Sequence, residues 1–150
     1  MKVLLATDGS EYSSAAAERF CVLYGTRDDV EVRVISVYEE SQVPPMEPFI
    51  LAPEHYLAMT EAAKNQASHF ASAIADQIKS NVGEITIEAF AISGKPSAVI
   101  VEQAAEWKAD LIIVGSHGRG FWGRMLGSVS NGVVNHAPCS VLVVRHEPAK

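Results

Sequence analysis

Five short apolar, β-branched runs alternate with four longer stretches whose apolar positions recur every three or four residues. That alternation marks repeated βαβ units, because a strand buried on both faces reads as an apolar run while a covering helix shows one apolar stripe. The predicted strands are Lys2–Ala6, Val30–Val37, Ile85–Ile92, Leu111–Val114 and Ser140–Val144. The first, fourth and fifth read as apolar throughout and are expected as inner strands. In the second, Val30, Val32, Val34 and Ser36 share one face and Glu31 and Arg33 the other, while Thr86 and Glu88 in the third suggest a sheet edge.

The first helix is expected from Ser10 as N-cap to Gly25, with Ala16, Phe20 and Leu23 on one face. The second runs from about Pro53 to Ser80, and Met59, Ala63, Ala67, Phe70, Ile74 and Ile78 form its core stripe. The third opens near Pro96, a good first-turn residue, and carries Val99, Ile100, Ala104 and Trp107. The fourth covers Ser128 to Asn135 and stops before Pro138. Between them, Tyr38 to Pro53 holds four prolines, which forbid a helix and disfavour a central strand. A long segment of this kind, attached to the carboxyl end of the second strand, is expected to overhang a ligand crevice.

Composition narrows the function classes. The 150 residues fit one domain, and a fold of this size buries roughly 70% of the surface its unfolded chain exposes. With 48% hydrophobic and 20% charged residues, neither disorder nor low complexity is indicated. A net charge of −6 argues against nucleic acid as partner, since neutralising phosphates requires clustered Lys and Arg. The two cysteines, Cys21 and Cys139, have no ligand spacing and read as small hydrophobes in a reducing compartment. The apolar run at the N-terminus is too short for a signal core, and no segment reaches eighteen apolar residues. A cytoplasmic location without membrane contact is the expectation.

The chemistry concentrates where strands end. A doubly wound sheet binds its ligand outside the carboxyl ends of its strands, where strand order reverses. Here that selects Ala6–Ser10, Ser36–Glu39 and Gly115–Ser128. Asp8 follows the first strand, where its carboxylate can face a ribose hydroxyl or a hydrated metal ion, or simply complete a turn. The stretch from Val114 to Ser130, VGSHGRGFWGRMLGSVS, carries glycines after a buried strand and leads into a helix start, an arrangement suited to phosphate.

Gly118 to Gly123 matches G-x-G-x-x-G, but Gly115 already makes the strand-to-helix turn and no acidic residue ends a following strand. Gly94-Lys95 is followed by Pro96 and lacks the upstream glycine of a Walker A loop. His117, with no acidic partner in sequence, reads as a packing residue more than a ligand. Arg119 and Arg124 read equally as phosphate donors or solvated charge. The scattered histidines form no metal-binding spacing, and no serine sits in a G-x-S-x-G elbow.

The start KVLLATDGSEYSSAA, the GKP before the third helix and ADLIIVGSHGRG…LGSVSNGVVNHAPCSVLVV together resemble the universal stress protein family, in order along nearly the whole chain. The resemblance implies an open, doubly wound α/β fold: a five-stranded parallel sheet of order 3-2-1-4-5, helices on both faces. It also implies a homodimer paired through Ser140, Val141, Leu142, Val143 and Val144. The ATP-binding members carry G-x2-G-x9-G-[ST]; here Gly115, Gly118, Gly127 and Ser128 follow that pattern with one residue fewer before Gly127.

Carried over by position, the resemblance implies that Asp8 faces ribose and phosphates beside Ala6 and Thr7, and that the Val37 backbone meets adenine. Val114 would line the base pocket, and Gly115, Gly118, Gly127, Ser128 and Val129 would supply the phosphate-binding backbone and hydroxyl. Arg119 and Ser130 join them as nucleotide-binding candidates. The expected function is ATP binding, with Mg²⁺ or Mn²⁺, by a nucleotide-responsive regulatory dimer of the stress response. No general base or arginine finger is assignable, so hydrolysis is expected to be slow at most and no residue is named catalytic. The alternatives are a dimeric interaction protein whose shortened loop no longer holds ATP, and an enzyme acting on nucleotide phosphates.

Overall fold

The computed structural model describes residues 1–40, 53–118 and 125–146. In chain order they form β1 (Lys2–Ala6), α1 (Glu11–Tyr24), β2 (Glu31–Tyr38), α2 (Pro53–Val82), β3 (Thr86–Ser93), α3 (Pro96–Trp107), β4 (Leu111–Gly115), α4 (Ser128–His136) and β5 (Ser140–Val144). All neighbouring strands are parallel, in the order β3-β2-β1-β4-β5. Strand order therefore reverses between β1 and β4, the crossover expected to hold a ligand. Most of the segment between Tyr38 and Pro53, together with Arg119 and Arg124, lies outside the described residues.

Alternation along each inner strand divides the core between the two sheet faces. Val3 and Leu5 of β1, Val32 and Val34 of β2, and Leu111 and Ile113 of β4 meet Ala16, Ala17 and Phe20 of α1 and Ile74 and Ile78 of α2. On the opposite face, Leu4, Ile35, Ile112 and Val114 meet Ile100 and Ala104 of α3 and Val133 of α4. Val3, Leu4 and Leu5 are fully buried, as expected of a central strand covered on both faces. A Cβ added at Gly132 would stand 2.8 Å from the Ser97 Cβ, so the missing side chain lets α4 lie directly on the start of α3. That contact sets the middle of α4 against the first turn of α3.

Three expectations from patterning need correction. β5 is an edge strand, as the order 3-2-1-4-5 implied by the resemblance has it and against its apolar pattern; it is apolar because Leu142 and Val144 pack under α1 while Val141 and Val143 pack toward α3 and α4. Apolar content reports covered faces, not position in the sheet. Leu23 is 43% exposed, since the buried arc of α1 runs through Ser13, Ala16, Ala17 and Phe20 and leaves position 23 at its margin.

Met59 is 52% exposed. At 30 residues, α2 is about 45 Å long at 1.5 Å per residue. The eight residues of β2 span only about 27 Å, so the first turns of α2 have no sheet beneath them.

β3 is the other edge, as Thr86 and Glu88 suggested. Glu88 accepts a hydrogen bond from Arg33 Nη2 at 2.9 Å, and the Arg33 guanidinium also lies 5.1 Å from the Phe90 ring centre and 4.6 Å from that of Trp107. These contacts accommodate an arginine on an inner strand by pairing its charge and stacking its plane. Both cysteines are half-buried thiols, and burial pushes each pKa upward. They are poor thiolates, consistent with a packing role.

Candidate functional site

The site begins where β1 ends. The Thr7 amide donates to the Ile35 carbonyl at 2.9 Å, holding the chain against β2 for one further residue before it turns. Gly9 adopts φ +74°, and the Phe70 ring of α2 occupies the position a Cβ would take, so glycine is required there on both counts. Asp8 Oδ1 accepts the Ser10 amide at 3.0 Å, an Asx turn, and Ser10 Oγ caps α1 by accepting the Ser13 amide at 3.4 Å. Beneath the turn, Thr7 Oγ1 accepts the Gly9 amide at 3.1 Å and donates to Ser13 Oγ at 2.9 Å, which donates to the Ser10 carbonyl at 2.8 Å.

Asp8 therefore completes the turn with one oxygen and presents the other toward the glycine segment. A Cβ on Gly118 would stand 2.7 Å from Asp8 Oδ2. The turn-forming and site-facing readings of this residue are compatible.

The second wall begins where β4 ends. Gly115 sits on the α1 backbone, with an added Cβ 2.8 Å from Tyr12 C and 2.9 Å from Tyr12 O. Ser116, 1% exposed, is bonded through every polar atom it has. Its amide donates to the Val144 carbonyl at 2.7 Å, and its carbonyl accepts from the Gly127 amide at 2.8 Å and from Ser130 Oγ at 2.9 Å. Its hydroxyl lies 2.9 Å from His117 Nδ1. The His117 ring is buried, 5.2 Å centre to centre from Tyr12, and the residue borders the cleft.

Gly127 is the N-cap of α4 and supplies no side-chain cap. Its own amide is engaged by Ser116, whereas the first-turn amides of Ser128, Val129 and Ser130 have no partner within the helix, as at any helix start. These amides and the α4 dipole favour an anion.

These walls enclose a cleft of about 260 Å³ at the crossover. Ala6, Thr7, Asp8, Val37, Val114, Gly115, Gly118, Gly127, Ser128, Val129 and Ser130 all line it. Arg119 lies outside the described residues. Sequence reasoning missed Ser13, Ile35, Pro96 and Ile100, and left His117 out of the lining. Ile35 stands two residues before Val37 on the same strand face, and Pro96 and Ile100 share a face of α3, so periodicity could have found all three.

Its apolar lining includes Ile35 and Val37 of β2 and Pro96 and Ile100 of α3, and its polar lining Thr7 and Asp8 after β1 and Ser128 and Ser130 at the start of α4. Among the described residues no three His, Cys, Asp or Glu side chains converge as a metal cluster. No described helix is long and apolar enough to cross a membrane.

The sequence matches the universal stress protein family over residues 1–145. A protein of Staphylococcus aureus (strain USA300) bearing a universal stress protein name is 32% identical over 150 residues, which cover 97% of this chain and 84% of that one. Among solved structures, the protein MJ0577 superposes with a TM-score of 0.75 at 30% identity, over 99% of this chain and 97% of its own. A universal stress protein solved in complex with cAMP gives a TM-score of 0.64 at 26% identity, over 97% of this chain and 96% of its own. The match spans every strand and helix described, and the chain belongs to the universal stress protein family.

Proposed function

We propose that the cleft binds an adenine nucleotide, ATP with Mg²⁺ or Mn²⁺, and that the protein is a cytoplasmic, nucleotide-responsive regulatory dimer. The observation that carries this reading is the convergence of three features in one cleft: the Asp8 carboxylate, the uncapped start of α4 and an apolar slot from β2 and α3. An apolar slot suits a base, a carboxylate suits ribose hydroxyls, and helix-start amides suit phosphates. The cAMP complex of a 26% identical relative supports the same ligand class. A divalent ion would arrive with the phosphates, and Asp8 is the carboxylate in the lining that can hold one of its waters.

Binding rather than turnover is proposed because no general base or arginine finger is assignable, and the buried Ser116 commits its amide and carbonyl to the walls and its hydroxyl to His117 Nδ1. The glycine segment, one residue shorter than the ATP-binding pattern, favours the rival reading of an interaction protein without nucleotide. Denaturing the purified protein and identifying released small molecules by mass spectrometry separates the two, with adenine nucleotide expected. Asp8→Asn keeps the Oδ1 acceptor for Ser10 and removes the charge, so ATP affinity is expected to fall about tenfold with the unfolding midpoint unchanged. Equal ATP affinity in the variant would remove Asp8 from the site.

The proposed dimer forms through β5. Among the described residues β5 has β4 as its only strand neighbour, and its edge carries half-buried Val141, Leu142 and Val143. Pairing with a second copy would cover that edge about a two-fold axis. Val141→Lys is expected to convert a dimer to a monomer in sedimentation velocity. A variant that sediments as the parent does would place the interface elsewhere.

A further inference from the structure

We propose that Ser130 acts as a positioning residue: its hydroxyl ties the start of α4 to Ser116 and so sets the amides that receive phosphate. The inference rests on the nucleotide reading of the cleft. Ser130 is 2% exposed, and its Oγ lies 2.9 Å from the Ser116 carbonyl and 3.0 Å from the Gly127 carbonyl, where its one proton can be donated. The Gly127 amide reaches the same Ser116 carbonyl at 2.8 Å. The two bonds form a closed joint between the residue that follows β4 and the first turn of α4, the turn that carries the amides of Ser128 and Val129.

The joint is close-packed as well as bonded. A Cβ on Gly127 would stand 3.4 Å from both His117 Cα and the Ser116 carbonyl oxygen and 3.7 Å from Ser130 Oγ. Ser116 is anchored in turn by its amide bond to Val144 of β5. A hydroxyl facing phosphate would act on the ligand alone; a hydroxyl holding Ser116 and Gly127 acts on the empty protein too.

The test compares Ser130→Ala and Ser130→Thr with the parent by backbone amide NMR without ligand and by titration with Mg-ATP. Ser130→Ala is expected to move the amide resonances of Gly127, Ser128 and Val129 in the free protein and to weaken ATP about tenfold. Ser130→Thr, which keeps the hydroxyl, is expected to restore both. Weakened ATP with unmoved free-state amides would overturn the proposal in favour of direct contact, and so would parent-like behaviour of Ser130→Ala in both measurements. If the parent itself binds no ATP, the nucleotide reading fails while the amide comparison still decides the joint. If Ser130→Ala does not fold, the isosteric Ser130→Cys replaces it in the same comparison.

Discussion

Gly115→Val is expected to destabilise the protein by about 3 kcal/mol, the upper range for overpacking a tight core site. The reason is proximity. The Cβ alone would stand 2.8 Å from Tyr12 C and Tyr12 Cβ and 2.9 Å from Tyr12 O, and two of those atoms are backbone in the first turn of α1. A flexible side chain can swing aside, but relieving this contact requires lifting α1 from the end of β4. The movement would expose Phe20 and Ala16, both fully buried.

Gly83→Ala provides the contrast. Gly83 has φ +80° with nothing within 4 Å of an added Cβ, so alanine there costs only the backbone term, about 1 kcal/mol. Urea unfolding of both variants is expected to show the larger loss at position 115. The reverse order would mean that α1 does not rest on Gly115 as described.

Gly127→Val is expected to weaken ATP by about a hundredfold while leaving the proposed dimer intact. The backbone at this position, φ −63° and ψ 162°, is open to any residue, so the effect is not conformational. A single Cβ would make ordinary contacts at 3.4 Å with His117 Cα and the Ser116 oxygen, and Gly127→Ala is expected to bind nearly as the parent does. The two further methyls of valine press against the joint that holds α4 to Ser116 and displace the amides of Ser128 and Val129. Ser116 meets β5 through its amide bond to Val144, on the side that faces β4, whereas the proposed pairing edge is the opposite one. Titration and sedimentation on the same sample check both halves; full affinity in Gly127→Val would contradict the assignment of the α4 start to phosphate.

The layered fold was legible because burial on both faces imposes a simple code. LLA and LIIV read as inner strands, and Ser10 and Pro96 mark helix starts by cap chemistry and by a missing N–H. The errors have one origin: local patterning marks an apolar face and says nothing of what lies against it. β5 looked internal for that reason, and Met59 looked buried because the helical stripe continues past the end of the sheet.

The cleft was legible through Asp8 and the glycines because their positions follow from strand ends. What was not legible is atomic allocation. Nothing in the order of residues says that the Gly127 amide and the Ser130 hydroxyl converge on the Ser116 carbonyl, or that Phe70 fills the space above Gly9. Those contacts join residues far apart in the chain, and they decide which polar groups face a ligand and which hold the walls.

Calorimetric titration of the purified protein with ATP and Mg²⁺ decides whether nucleotide occupies the cleft at the crossover of β1 and β4. Saturable binding near one ATP per chain is expected, weakened in Asp8→Asn and Gly127→Val. No saturable binding from protein that also carries no nucleotide through purification would contradict it.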